Sequence, residues 1–393
     1  MKPRTISDAI CWLGFVDWDR RLFDSLIPLP DGTSYNAYLV RGSEKTALID
    51  SVDTEHADTL LEQLQDIATI DFIVSQHAEQ DHSGAIPKVL EKYPDAVVLT
   101  SAKGKDLLVD HLHLPEDRIR TVQNNETVSL GDRTLKFIYT PWVHWPETMC
   151  TYVPENKILF TCDFFGSHIA STDLFVRDKS KVAEAAKRYY AEIMMPFRTA
   201  IKKNIDVIEK FDIAMIAPSH GSIYDDPRFI IDEYKAWVVD TPENIVVIPY
   251  ISMHGSTRVM VEHLVASLAE QGVNVQQFDL AVTDLGKLAI ALVDAATIII
   301  GTPTVQIAPH PAIFYAAFLA NALRPKAKYA SVIGSYGWST KAVEKIAELI
   351  SDLKVEILTP IACKGLPGDN ILNALDEMAQ RIAEKHKELG ILK

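Results

Sequence analysis

Cysteine is scarce in this 393-residue chain, and the four present, Cys11, Cys150, Cys162 and Cys363, lie far apart. No two form a C-x-x-C pair, so there is no zinc ribbon, no rubredoxin-type iron site and no disulfide framework. They read as buried or incidental free thiols. Cys162 receives no role, because in an extended segment its side chain points opposite to that of the adjacent Asp163. No apolar run of about 18 residues survives without a polar interruption, so a membrane span is not expected. The N-terminus, MKPRTISDAICWLGFVDWD, has neither the long apolar stretch nor the small-residue cleavage site of a signal peptide, and a cytoplasmic location is expected. An excess of cations is missing too. The formal charge of −14 argues against nucleic acid, whose phosphates need clustered Lys and Arg. There is no internal repeat and no low-complexity tract.

What remains is ordinary globular composition, 48% hydrophobic and 23% charged, in a chain long enough for two domains. In the first part, KTALID, DFIVSQ, DAVVLTS, RTLKFIYTP, KILFTCD and IAMIAPSHG read as strands in mixed order, with helix from about Lys179 to Phe211. This pattern predicts an α/β sandwich with loops at strand ends. From about Asn244 the rhythm becomes strict alternation. The strands NIVVIPYIS, VNVQQFDL, TIIIGTP, YASVIGSYG and KVEILTPI are separated by helix-length segments, which implies a doubly wound, five-stranded parallel sheet. The segment from Val239 to Glu243 is the natural boundary, giving domains of residues 1–242 and 243–393.

The most informative stretch is His77-Ala78-Glu79-Gln80-Asp81-His82, directly after the strand DFIVSQ. In an extended segment, positions 77, 79 and 81 project to one side. The helix expected to begin next would turn His82 towards the same cleft. His144, Asp163 and His220 also follow strands. Any one of these residues is most simply a solvated loop residue; the set together reads as a metal centre.

The H-x-x-x-D-H core with a later His, Asp and His is similar to the metallo-β-lactamase superfamily. Where hydrolases of that superfamily carry a third His, this chain has Glu79, and H-x-E-x-D-H resembles the flavodiiron proteins. The added carboxylate suits iron, whereas zinc sites favour nitrogen and sulfur. The resemblance implies a metallo-β-lactamase-like αβ/βα sandwich holding two non-haem irons. It assigns His77, Glu79 and His144 to one iron and Asp81, His82 and His220 to the other, with Asp163 bridging. Trp145 stands as a cavity wall or as core packing.

In the second part, Ser252-Met253-His254-Gly255-Ser256-Thr257 precedes a helix, a hydroxyl-rich loop suited to a phosphate. It is not G-x-G-x-x-G, which disfavours a dinucleotide. Thr302-Pro303-Thr304-Val305-Gln306 and Ser335-Tyr336-Gly337-Trp338 follow the third and fourth strands, at the sheet edge where doubly wound folds bind ligands. Together the loops resemble the FMN site of a flavodoxin-like domain, with Ser252, Met253, Gly255, Ser256, Thr257, Pro303, Thr304, Val305, Gln306, Ser335, Tyr336, Gly337 and Trp338 as contacts. Gln306 stands where the pattern has Asn, and His254 occupies a variable position.

The resemblance covers nearly the whole chain and implies an oxidoreductase reducing dioxygen to water, nitric oxide to nitrous oxide, or both. It also implies an external donor (rubredoxin, a flavoprotein reductase or the reduced deazaflavin F420) and a head-to-tail homodimer or dimer of dimers. Only a charged helix, Asp369 to Glu388, follows the flavodoxin-like part, so no fused rubredoxin is expected. Two rivals are a zinc-dependent hydrolase with an accessory flavodoxin domain, acting for instance on thioesters, and an FMN-only electron carrier or redox sensor. Glu79 and the flavin loops speak against the first, and seven metal-ligand residues against the second.

Overall fold

The computed structural model describes residues 2–393. The chain divides into two compact units, the first running to Val238 and the second from Val239 to Lys393, with the short segment Ala191–Pro196 grouped with the second. No helix among the described residues is long and apolar enough to cross a membrane.

The first unit has two sheets. A seven-stranded sheet runs in the order Arg4–Ser7, Ile10–Asp17, Thr33–Arg41, Thr46–Ile49, Phe72–Val74, Val97–Thr100 and Ile119–Thr121. A five-stranded sheet runs Thr127–Ser129, Thr134–Tyr139, Met149–Val153, Ile158–Cys162 and Met215–Pro218. Side chains alternate by the strand period of two. Tyr38, Val40, Ala47 and Ile49 join Phe137, Phe160 and Ala217 in the core between the sheets. Ala37, Leu39 and Leu48 pack instead with Leu60, Ile86 and Val89 of the helices Ala57–Gln63 and Ile86–Lys92. Thr33–Arg41 is buried on both faces apart from its last residue, so no polar alternation marks it as a strand.

Three local expectations are corrected. The sequence read as one helix from Lys179 to Phe211 is broken: helix Lys179–Tyr189 passes into a π-turn, Tyr190–Met194, and a 3₁₀ turn, Met195–Phe197, before helix Arg198–Ile208. Pro196, which cannot donate a helical hydrogen bond, lies at the break. The segment 77–82 is not extended throughout, because Gln80–Ser83 is a helical turn. Cys162 adopts a left-handed φ of 50°, so its thiol turns towards His82 and Asp163 rather than away from them.

The second unit is a parallel sheet in the order Asn274–Asp279, Ile245–Tyr250, Thr297–Val305, Tyr329–Tyr336, Glu356–Ile357. The fifth strand is two pieces, Glu356–Ile357 and Ile361–Lys364, both paired with Tyr329–Tyr336. Pro360 lies between them and offers no N–H to the ladder.

Candidate functional site

All seven residues of the first constellation lie at strand ends of the first unit. His77 and Glu79 follow Phe72–Val74, Asp81 and His82 sit on the turn Gln80–Ser83, and His144 lies between Thr134–Tyr139 and Met149–Val153. Asp163 follows Ile158–Cys162, and His220 follows Met215–Pro218. The structure brings them together in two groups, His77, Glu79, His144 and Asp163 on one side and Asp81, His82 and His220 on the other, with ligand atoms within 4.8 Å in each. Asp163 faces both. Its Oδ1 is 2.9 Å from His82 Nε2 and 3.5 Å from His220 Nε2, while Oδ2 is 3.4 Å from His77 Nε2 and 3.3 Å from His144 Nε2. Glu79 Oε2 lies 3.1 Å from Nε2 of both His77 and His144.

The hydrogen bonds behind these rings decide what faces inward. His220 Nδ1 lies 2.7 Å from the Ser34 carbonyl and His77 Nδ1 2.6 Å from Glu147 Oε1, and neither acceptor can donate. Each Nδ1 therefore carries its proton outward, and in the neutral ring Nε2 presents a lone pair inward. Both oxygens of the buried Asp81 carboxylate, Asp163 Oδ2 and His82 Nε2 have no hydrogen-bond partner. Buried lone pairs aimed at one another require a positive charge between them, which protons or metal ions can supply. Where protons supply that charge, Nε2 of His144 and His77 donate to Glu79; burial alone would raise its carboxyl, yet these hydrogen bonds outweigh it and hold it well below the usual range. Burial likewise disfavours a charged His77, and its bonds to Glu147 and Glu79 overcome that and raise it. The nitrogen and oxygen donors fit a pair of metal ions, and their balance suits iron.

Neighbouring strands hold His220 in place. Asn36 Nδ2 donates to the carbonyls of Pro218 and Gly221, Tyr38 Oη to Pro218, and Gly221 N to Ser34 Oγ. Gly221 has φ 80°, and a Cβ there would lie 2.0 Å from Ser167 Oγ.

Three nearby residues, Glu147, Tyr189 and His168, escaped the sequence reading, and a fourth, Cys162, was given no role there. Glu147 accepts from His77 Nδ1 and from Ala78 N at 3.1 Å. Tyr189, on helix Lys179–Tyr189, donates to Asp163 Oδ1 at 2.7 Å. The ring of His168 lies 4.9 Å from that of His220, and the Cys162 thiol approaches His82. His168 and Cys162 carry signals, being ligand-type residues close to Asp163. Glu147 has only its proximity to His144, and Tyr189 none. Trp145 stands edge-on to His77 at 4.9 Å, so it does wall the site.

In the second unit, every expected flavin contact except Gly255 lines one cavity of about 410 Å³, which His254 and Gly365 also line. Gly255 turns the loop with φ 92° into helix Ser256–Glu270, and a Cβ there would meet open space. No side chain caps that helix from Gly255. Ser252 Oγ accepts from Arg258 N at 3.2 Å, and Thr257 Oγ1 lies 3.0 Å from Ser335 Oγ. The remaining first-turn N–H groups are open to an anion. Trp338 is 79% exposed, a free aromatic face at the cavity rim.

Comparison with known proteins agrees with both domains. Residues 33–221 match the family described as ODP family beta lactamase, and residues 248–377 match Flavodoxin. The chain is 35% identical to the nitric oxide reductase of Moorella thermoacetica, over 98% of this chain and 99% of that one. It superposes on the rubredoxin oxygen:oxidoreductase of Desulfovibrio gigas with a TM-score of 0.94 and 31% identity, covering 99% of each chain. The flavodiiron protein of Giardia intestinalis gives 0.92 at 27% identity, over 99% of this chain and 98% of that one. The chain belongs to the flavodiiron family. It is accordingly an oxidoreductase, built from a β-lactamase-like and a flavodoxin-like domain, with FMN and a non-haem diiron centre as the family's cofactors.

Proposed function

We propose that this flavodiiron protein reduces dioxygen to water, nitric oxide to nitrous oxide, or both, with electrons arriving through FMN. The observation that carries the reading is Asp163, whose two oxygens face two separate groups of ligand atoms 2.9–3.5 Å away. In this reading His77, Glu79 and His144 hold one iron, Asp81, His82 and His220 the other, and Asp163 bridges. Residues 1–242 carry that centre, and residues 243–393 carry FMN through the three loops around Ser252–Thr257, Pro303–Gln306 and Ser335–Trp338. Bound together, two irons and a flavin store up to four electrons, enough for one dioxygen, whereas two nitric oxide molecules need only two.

The chain's own residues set the terms of that chemistry. Glu147 and the Ser34 carbonyl fix the tautomer of His77 and His220, so each ring turns its Nε2 inward. Tyr189 donates its hydroxyl proton to Asp163 and keeps that carboxylate from rotating. Trp145, packed against His77, shields one side of the cleft from water.

A head-to-tail homodimer, or a dimer of such dimers, would place FMN of one subunit against the diiron centre of the other. A separate rubredoxin, flavoprotein reductase or reduced deazaflavin would feed the flavin. A cytoplasmic setting is part of the same proposal. Elemental and flavin analysis of the purified protein tests the cofactor assignment. Anaerobic turnover of the reduced protein against each gas then tests the substrates, and two zincs with no iron would overturn the reading.

A further inference from the structure

A cavity of about 580 Å³ opens over Glu79 and Asp81, and in the metal-free protein its lining is strongly acidic. Its lining carries five carboxylates, Asp24, Asp53, Glu55, Glu79 and Asp81, against one guanidinium, Arg20. Arg20 is already engaged, with Nη1 3.2 Å from Glu55 Oε2. The carboxylates grade inward. Asp24 and Glu55 are exposed, Asp53 and Glu79 half-buried, and Asp81 is buried at 5% exposure with neither oxygen hydrogen-bonded. Among the described residues Asp24 has no hydrogen bond or ion pair, and burial, then the carboxylates of Glu79 and Asp81, raise its carboxyl above the usual range. Such crowding costs free energy in the empty protein and steers no uncharged molecule, but it attracts a cation.

We infer that this cavity is the loading channel of the metal centre, in which Asp24, Asp53 and Glu55 capture a hydrated divalent cation and hand it inward to Glu79 and Asp81. The inference rests on the reading of the seven buried residues as metal ligands. Carboxylate oxygens suit the entry stage, because they hold a partly hydrated divalent ion in exchangeable fashion, and the imidazoles deeper in take over as water is shed. Without the channel, a hydrated dication would meet a buried site ringed by Phe23 and Trp145.

The test is the rate of loading. Protein stripped of metal by a chelator, with FMN retained, is mixed anaerobically with Co(II), whose visible absorbance reports occupancy, and in parallel with Fe(II) followed by quenching and elemental analysis. The variant D24N/D53N/E55Q keeps the local structure. Asparagine adopts the left-handed backbone of Asp24 (φ 48°) readily, and the amide introduced by Asp53→Asn still offers an oxygen to the Glu55 N–H that Asp53 Oδ1 accepts at 3.0 Å. Loading at low salt is expected to slow about ten-fold or more, and its dependence on ionic strength to flatten, with final metal content unchanged. Asp24→Asn alone, a single exposed change that keeps the left-handed backbone, guards against misfolding of the triple variant and is expected to slow loading as well. Unchanged rates and salt dependence, with full final uptake, overturn the channel alone. Failure of the unmodified protein to take up two ions overturns the ligand reading and the channel with it.

Discussion

Glu147 offers the sharpest test of how the site is held. It is 3% exposed, and a single oxygen, Oε1, accepts from both His77 Nδ1 at 2.6 Å and Ala78 N at 3.1 Å, while Oε2 has no partner. Glu147→Gln preserves that acceptor and removes only the charge. A hydrogen bond to a charged group contributes about 1.5–3 kcal/mol and a neutral one about 0.5–1.5, so the change weakens the hold on His77 by about 1–2 kcal/mol. Metal affinity at the His77, Glu79 and His144 group should fall by about 5- to 30-fold. Glu147→Ala strands two buried donors at about 1–3 kcal/mol each, and that group should empty. Chelator competition followed by elemental analysis reads both variants, with FMN absorbance as the control for folding of the second unit. The expected end point for Glu147→Ala is close to one iron per chain, held by Asp81, His82 and His220. If both variants keep two metals with affinities within two-fold of the unmodified protein, the argument from the Nδ1 partner is wrong.

Other consequences follow from the same geometry. Gly221→Ala must place a Cβ 2.0 Å from Ser167 Oγ at φ 80°, so strain of about 1–2 kcal/mol plus the clash should displace His220, read as lost metal and a lower Tm. Glu79→His should lower iron content and shift occupancy towards zinc, measured by elemental analysis after growth with both metals. Ser256→Ala with Thr257→Ala should weaken FMN binding by a few kcal/mol, at about 1.5–3 per bond lost to a charged phosphate, with iron content unchanged; equal flavin affinity would refute the assignment. His386 is buried, with Nδ1 2.8 Å from Asn244 Oδ1 and Nε2 2.8 Å from Thr297 Oγ1, and burial pushes its imidazole down to about 4. The unfolded chain then binds the extra proton below about pH 6.5, so stability is full above that pH and falls by about 2–3 kcal/mol on acidification towards pH 4. His386→Asn should flatten this part of the pH dependence in denaturant titrations; an unchanged slope would exclude His386 as its source.

The parts of the fold legible in the sequence are those with a periodic or local signature. The alternating strands after Asn244 and the clustered His, Asp and Glu residues at strand ends are of this kind, as are the glycine and hydroxyl loops that line the cavity of the second unit. What was not legible depends on partners distant in sequence. Glu147 is defined by His77, seventy positions away, and Tyr189 by Asp163, twenty-six away, and neither leaves a pattern in its own neighbourhood. Thr33–Arg41 hides for the opposite reason, because burial on both faces erases the alternation that would reveal it. The break at Pro360 and the left-handed turn at Cys162 are single-residue backbone events. The first has a visible cause in the missing N–H, while nothing in the local sequence announces the second.

The division of one short motif between two groups of ligand atoms follows from a change of backbone at Glu79. Its dihedrals, φ −61° and ψ 143°, are still extended, and it is the residue before the helical turn Gln80–Ser83. Up to Glu79 the chain keeps the strand habit, in which residues two apart share a side, so His77 and Glu79 meet the same partner, His144. Beyond it, consecutive residues of a helical turn are only about 100° apart, so Asp81 and His82 lie close enough to face one direction together and meet His220. Had the segment stayed extended, Asp81 would have joined His77 and Glu79 on one face and left His82 on the other. A strand ending at a helical turn thus lets four residues of one six-residue motif face two positions, and Asp163, placed by a different sheet, needs only its two oxygens to join them.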